Sequence, residues 1–180
     1  MHPYVALLRG INVGGKNVIP MATLKQWFEA MGFANVRTYI QSGNVLFEAK
    51  SADVEAVAQT VEAGLAVHHT QAIPVVVVTA AMLTKIVTEA PSGFGNTPSK
   101  YRYDVIFLRP PVTPHQALPD VATNEGVDTV HVGTHALYFS RLISRASQSK
   151  LSTIVGKPIY KHMTIRNWNT TTRLLALLST

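Results

Sequence analysis

The chain has 180 residues, 47% of them apolar, a net charge of +6 and no cysteine. This length admits one compact domain or two small packed subdomains, and the apolar fraction rules out a disordered chain. The lack of cysteine excludes disulfides, thiolate metal sites and a cysteine nucleophile. No apolar run approaches the roughly 18 residues of a membrane-spanning helix. The start, Met1-His2-Pro3-Tyr4, is not the charged and then apolar opening of a signal peptide. The expectation is a cytoplasmic protein that does not enter a membrane.

The charge is unevenly placed. Residues 1–90 carry six basic and six acidic side chains, whereas residues 91–180 carry ten basic and four acidic. All of the excess therefore lies in the second half, and no carboxylate side chain follows Asp128. Such a bias suits an anionic partner, either a nucleotide-like small molecule or nucleic acid, and equally suits a solvated basic surface.

In chain order, residues 4–8 read as a buried strand that runs into the glycine loop Arg9-Gly10-Ile11-Asn12-Val13-Gly14-Gly15-Lys16-Asn17. Leu24, Trp27, Phe28 and Met31 recur at helical spacing over residues 21–31, with Gly32 and Phe33 as the stop. Two strands follow, 36–40 and 45–47, around the turn Gln41-Ser42-Gly43-Asn44. Asp53 caps a long helix bearing Val54, Val57, Val61 and Leu65. The β-branched run 73–78 reads as an interior strand, and a trailing helix spans about 80–89. Residues 91–102 are a loop rich in proline and glycine.

The second half repeats the order. It has a strand at 103–108, a short helix around Gln116-Ala117-Leu118 and a hairpin of 129–132 with 136–139. A helix at 147–155, a short strand at 163–165 and a last helix at 168–178 complete it. The expected fold class is α+β, with two ferredoxin-like β-α-β-β-α-β subdomains in tandem, each with an extra C-terminal helix. The first subdomain spans 1–90, the linker 91–102 and the second subdomain 103–180.

The glycine loop holds three glycines and two asparagines in nine residues, types that tolerate positive φ and can turn several N–H groups toward one anion. It matches the phosphate-loop spacing G-x-x-x-x-G-K but has Asn17 where Mg²⁺ binding needs Ser or Thr, so an NTPase is not expected. The bland alternative is a wide structural turn. Gln41, Ser42 and Asn44 form a polar hairpin, and Asn167 or Asn169 can cap the last helix. Trp168 suits either core packing or stacking on a base. His68-His69 and the pair His131 and His135 lack a third ligand, so neither a metal nor a cofactor is expected.

Three of these runs together resemble a known family. They are 8–16 through the glycine loop, Thr38-Tyr39-Ile40-Gln41-Ser42-Gly43-Asn44-Val45, and Thr164-Ile165-Arg166-Asn167-Trp168-Asn169-Thr170. In this order they resemble the bacterial family catalogued as domain of unknown function 1697. The resemblance spans residues 4–177 and is weakest from about 91 to 102. It implies a duplicated ferredoxin-like fold and no established activity. The family's recurrent positions map onto Arg9, Gly10, Asn12, Gly14, Gly15, Lys16, Gln41, Ser42, Gly43, Asn44, Arg166, Asn167, Trp168 and Asn169.

On these residues the expected function is a binding module for an anionic ligand. Arg9, Lys16 and Arg166 would neutralise it, while Asn12, Gln41 and Asn44 would add neutral hydrogen bonds. The alternatives are an enzyme acting on a phosphorylated or nucleotide substrate in the same pocket, or a structural and protein-interaction role. Whether the three polar motifs form one site, and what the oligomeric state is, the sequence leaves open.

Overall fold

The computed structural model describes residues 1–15 and 17–178. Lys16, one of the expected anion ligands, lies outside the described residues. The chain divides into two compact units, Met1–Ala81 with Ala176–Thr180, and Met82–Leu175.

The first unit is built on β1 (His2–Leu8), α1 (Met21–Ala30), β2 (Ala34–Tyr39), β3 (Asn44–Ala49), α2 (Val54–His68) and β4 (Val75–Thr79). Its sheet has the order β2-β3-β1-β4, and β1 pairs antiparallel with both β3 and β4. Alternation along β1 sends Tyr4, Ala6 and Leu8 to one face, where Val45, Phe47, Val75 and Val77 join them. Leu24 and Phe28 of α1 and Val57, Val61 and Leu65 of α2 close that core at helical spacing.

Phe47 anchors an aromatic group there, with ring centroids 4.5 Å from Phe33 and 5.3 Å from Phe28. Asp53 caps α2 as expected, its Oδ1 accepting the N–H of Glu55 at 2.9 Å and of Ala56 at 3.3 Å. One expectation changes. The valine run of β4 reads as an interior strand, but β4 stands at the edge of the ladder, and its four valines are nevertheless buried. A continuous apolar run reports burial of side chains, not a hydrogen-bonded neighbour on each side.

After α3 (Ala80–Thr88), the second unit contains β5 (Tyr101–Leu108), α4 (Pro114–Ala117), β6 (Asp128–Val132), β7 (Ala136–Leu142), β8 (Met163–Asn167) and α5 (Trp168–Leu178). The last residues of α5 are counted with the first unit. Tyr101 and Arg102, expected in the linker, open β5. The sheet order is β6-β7-β5-β8, again antiparallel throughout. Its core is Ile106, Leu108, Leu137, Phe139 and Met163, with Leu151 and Ile154.

The helix expected at 147–155 is not an α-helix. Three short 3-10 segments occupy Ile143–Gln148, Leu151–Gly156 and Pro158–His162. Serine, threonine and β-branched residues crowd this stretch, and the hydroxyls bond locally in competition with a helix. Ser149 Oγ accepts the N–H of Leu151 at 3.3 Å, and Thr153 Oγ1 donates to the carbonyl of Lys150 at 2.7 Å. Leu151 and Ile154 still reach the core because three residues make one 3-10 turn.

Two substitutions test this packing. Tyr138 is buried, its hydroxyl donating to the carbonyl of Ile86 at 2.7 Å, and burial pushes its pKa up to about 12. Tyr138→Phe should cost about 1 kcal/mol in urea denaturation, because that carbonyl loses its partner. Gly43 has φ 80°, and a Cβ there would lie 2.7 Å from Ile11 Cδ1 and 2.9 Å from Leu8 Cβ. Gly43→Ala should therefore cost about 2 kcal/mol or more, against about 1 kcal/mol for Gly14→Ala, which has positive φ but open space.

Candidate functional site

In the first unit the glycine loop and the 41–44 turn meet at one end of the sheet. Leu8 N–H donates to Gly43 O at 2.8 Å, and Ile11 packs where a Cβ on Gly43 would stand. Asn12, at φ 54°, ties the loop together with its side chain. Its Oδ1 accepts the N–H of Ile19 at 2.7 Å, and its Nδ2 donates to Ile19 O at 3.0 Å and Gln41 O at 2.9 Å. Asn17 Nδ2 donates to Gly10 O at 3.1 Å. Asn44 is fully buried, and its Nδ2 donates to Tyr39 O and Ser42 Oγ.

The glycine loop and the 41–44 turn are thus neighbours, and the asparagine side chains there hold backbone. Gly10, Gly14 and Gly15 all have positive φ and face open space. Ile40 is half-exposed at φ 50°, an uncommon conformation for a β-branched residue, and marks the turn as strained.

The third motif belongs to the second unit. Arg166 is buried on β8, where Nη1 donates to Thr164 Oγ1 and to Ile165 O, each at 2.9 Å. Burial lowers its pKa to about 10, which still leaves it charged at neutral pH. Asn167 is the cap of α5, its Oδ1 accepting the N–H of Thr170 at 2.7 Å. Asn167, Trp168 and Asn169 line a cavity of about 390 Å³ with Gly95, Pro98 and the opening residues of β5. Arg166, on the opposite face of β8, is not among the lining residues.

The register explains the cavity. Arg102 and Asp104 alternate in phase with Ile106 and Leu108, Arg141 with Leu137 and Phe139, and Asn167 with Met163. Asp104 stands opposite Asn167, and Arg102 opposite Arg141. The apolar face of the sheet therefore ends in two guanidiniums, a carboxylate and an amide. Arg141 Nη2 lies 3.6 Å from Asp104 Oδ2, with side chains 24% and 12% exposed. That spacing gives Coulomb attraction without a hydrogen bond. Asp104 Oδ2 and Arg141 Nε are buried and have no hydrogen-bond partner among the described residues. Burial raises the Asp104 pKa, opposed by Arg141 and Arg102.

Beside these groups Trp168 stands edge-on to Phe94, ring centroids 5.2 Å apart. Gly95, φ 88°, makes room for the indole, since a Cβ would fall 2.4 Å from its Cδ1 and Nε1.

Arg102, Asp104 and Arg141 were not singled out from the sequence. Their signal is the alternation Tyr101-Arg102-Tyr103-Asp104 ahead of Val105-Ile106-Phe107-Leu108, which places two charges in phase with core residues. The segment 91–102, where the family resemblance is weakest, supplies Gly95, Pro98, Tyr101 and Arg102 to the cavity. Among the described residues no group of three or more His, Asp or Glu could hold a metal, and no helix is long and apolar enough to cross a membrane.

Two four-stranded antiparallel sheets with their helices define a two-part α+β protein. The chain belongs to the family described as Protein of unknown function (DUF1697), which matches residues 1–138. Arg102 and Asp104 fall inside that match, and Arg141 and Asn167 beyond it. The solved structure of a conserved bacterial protein from Streptococcus pneumoniae is similar, with a TM-score of 0.84, 26% identity and 98% of each chain covered. No curated protein matches.

Gly95→Ala tests the wall of the cavity. Both strain at positive φ and the clash with the indole should displace Trp168, shifting tryptophan emission and costing about 1–3 kcal/mol in denaturation. Unchanged emission and stability would show that the indole has another seat.

Proposed function

We propose that this chain binds an anionic small molecule of nucleotide type in the cavity of its second unit, in a bacterial cytoplasm. We further infer that each unit is a ferredoxin-like β-α-β-β-α-β fold, the chain being its duplication. The matching strand orders, β2-β3-β1-β4 and β6-β7-β5-β8, support the second inference. In the second unit 3-10 turns replace one helix.

One observation carries the binding reading: Arg102 and Arg141 line a cavity of small-molecule size in which Asp104 is the one carboxylate among the described lining residues, leaving an excess of positive charge. Guanidiniums bind phosphate or carboxylate oxygens through paired N–H groups, more strongly where water is scarce. Asn167 and Asn169 add neutral donors and acceptors. Trp168, Tyr101 and Tyr103 offer ring faces or edges to a planar group. A volume of about 390 Å³ is of small-molecule size, whereas a nucleic-acid strand is held along a groove that tracks its backbone.

The glycine loop is a second candidate for an anion contact, with Arg9, Gly10, Gly14, Gly15 and Lys16 as its residues. Gly14 and Gly15 are exposed, at positive φ and with open space beside them, so their backbone is accessible to a ligand.

Thermal shift distinguishes the partners. The four ribonucleoside 5′-monophosphates, inorganic phosphate and a mixed-sequence RNA 12-mer are tested separately at low and moderate salt. The expected result is stabilisation by at least one nucleotide, of about 2–3 kcal/mol at a hundredfold excess over its Kd. Arg102→Ala should abolish most of it without lowering the melting temperature of the free protein, since Arg102 is exposed. Binding of the RNA alone, with a steep salt dependence, would favour nucleic acid. No shift with any of these would overturn the proposal.

A further inference from the structure

The charge of the second unit's cavity is set by three side chains on one face of the sheet. Arg102 stands opposite Arg141 across the β5–β7 ladder, and Asp104 follows two residues after Arg102 on the same strand. Arg141 Nη2 lies 3.6 Å from Asp104 Oδ2. Asp104 is the one carboxylate among the described lining residues. While it is ionised the three groups sum to a single positive charge, and once it is protonated that charge doubles. The cavity's attraction for an anion therefore depends on one proton.

The groups around Asp104 are otherwise cationic, phenolic or neutral. Besides Arg102, β5 brings Tyr101 and Tyr103, β7 brings Arg141, and β8 and α5 bring Asn167, Trp168 and Asn169. The 91–98 loop adds Gly95 and Pro98. Asp128 on β6 lies a strand further out, opposite Arg141, and its Oδ2 accepts the N–H groups of Asn124 and Lys150. The Asp104 side chain is only 12% exposed, so little water screens its charge from the cavity. Burial raises its pKa, against the opposing pull of Arg141 and Arg102.

On the reading that this cavity binds an anion, we propose that Asp104 is its proton gate: the anion enters together with a proton, taken from water onto the Asp104 carboxylate. The cause is Coulombic. An anion held by Arg102 and Arg141 faces the carboxylate across a poorly screened gap, and neutralising the carboxylate removes that repulsion. It also frees Arg141 from its ion-pair partner. The sign follows from linkage. A bound anion lifts the Asp104 pKa above its value in the free protein. Affinity is therefore highest below the free value, falls as pH rises from the free to the bound value, and is level above that. Because the free value already stands above that of an ordinary aspartate, the window opens on the neutral side of the usual carboxylate range.

The test begins on the unaltered protein with sulfate, whose charge stays fixed, whereas a phosphate monoester takes up a proton of its own at about pH 6. Sulfate binding is followed by thermal shift and isothermal titration from about pH 5 to about pH 8 at constant ionic strength. The dissociation constant should rise with pH, by up to about tenfold per unit where the slope is steepest, which is the mark of one proton. Titration in two buffers of different ionisation enthalpy should show net proton uptake in the same window. This arm needs no variant and so does not depend on how a substitution folds. A dissociation constant that is level across the range, or binding without proton uptake, would overturn the coupling.

Asp104→Asn is then compared, with its circular dichroism and melting temperature recorded at each pH. Asparagine keeps the shape of the side chain and does not titrate. The variant should bind sulfate at about pH 8 as tightly as the unaltered protein does at about pH 5, with the proton uptake lost. The same slope and uptake in both proteins would overturn the coupling and leave the anion site standing, provided that Arg102→Ala weakens binding at every pH. Sulfate binding that is indifferent to Arg102→Ala, or absent at every pH, would remove the anion site and this inference together.

Discussion

The second unit depends on placing ionised groups where a sheet would otherwise continue its apolar face. Arg102, Asp104 and Arg141 are in phase with Ile106, Leu108, Leu137 and Phe139, so strand alternation leaves them no choice of side. Desolvating a carboxylate and a guanidinium is costly, and their attraction at 3.6 Å offsets it only in part. The raised Asp104 pKa records the remainder. Replacing a buried ion pair by apolar groups is often neutral or stabilising, so charge at these positions makes sense for a surface that meets something polar.

The same logic separates the two glycine-rich regions. In the loop of the first unit, Asn12 uses both ends of its amide to hold Ile19 and Gln41. Its polar side chain is spent on shaping backbone. In the 91–98 loop Gly95 makes room for an indole, so that a wall of the cavity depends on the absence of one methyl group. Both are glycine-and-asparagine signals in sequence, yet one organises a turn and the other clears a space.

Much of the fold was legible because periodicity and caps are local. Residues 21–31, the Asp53 cap, the 136–139 strand and the helix at 168–178 are set by spacing and by neighbours within four residues. The 147–155 stretch was misread because apolar spacing there suits a helix, while its hydroxyls bond backbone at shorter range. The site was half legible. Asn167, Trp168 and Asn169 stand out as a polar run at a helix start. Arg102 and Arg141 become meaningful only through a pairing of residues 39 positions apart, which no single stretch of sequence displays. Arg166 was the opposite case: it drew notice by charge, and its guanidinium is bonded within its own strand.

The 3-10 run carries a consequence for motion. Segments of this kind have poor hydrogen-bond geometry and few residues per element, so they open at lower free energy than the ladders beside them. Here the run is fastened at its middle, since Asp128 Oδ2 on β6 accepts the N–H of Lys150 at 2.8 Å as well as that of Asn124 at 3.0 Å. Asp128 also stands directly across the ladder from Arg141. Opening of the 143–162 segment therefore releases a carboxylate beside the cavity's deeper guanidinium. The 3-10 run and the polar end of the sheet are thereby joined through one carboxylate.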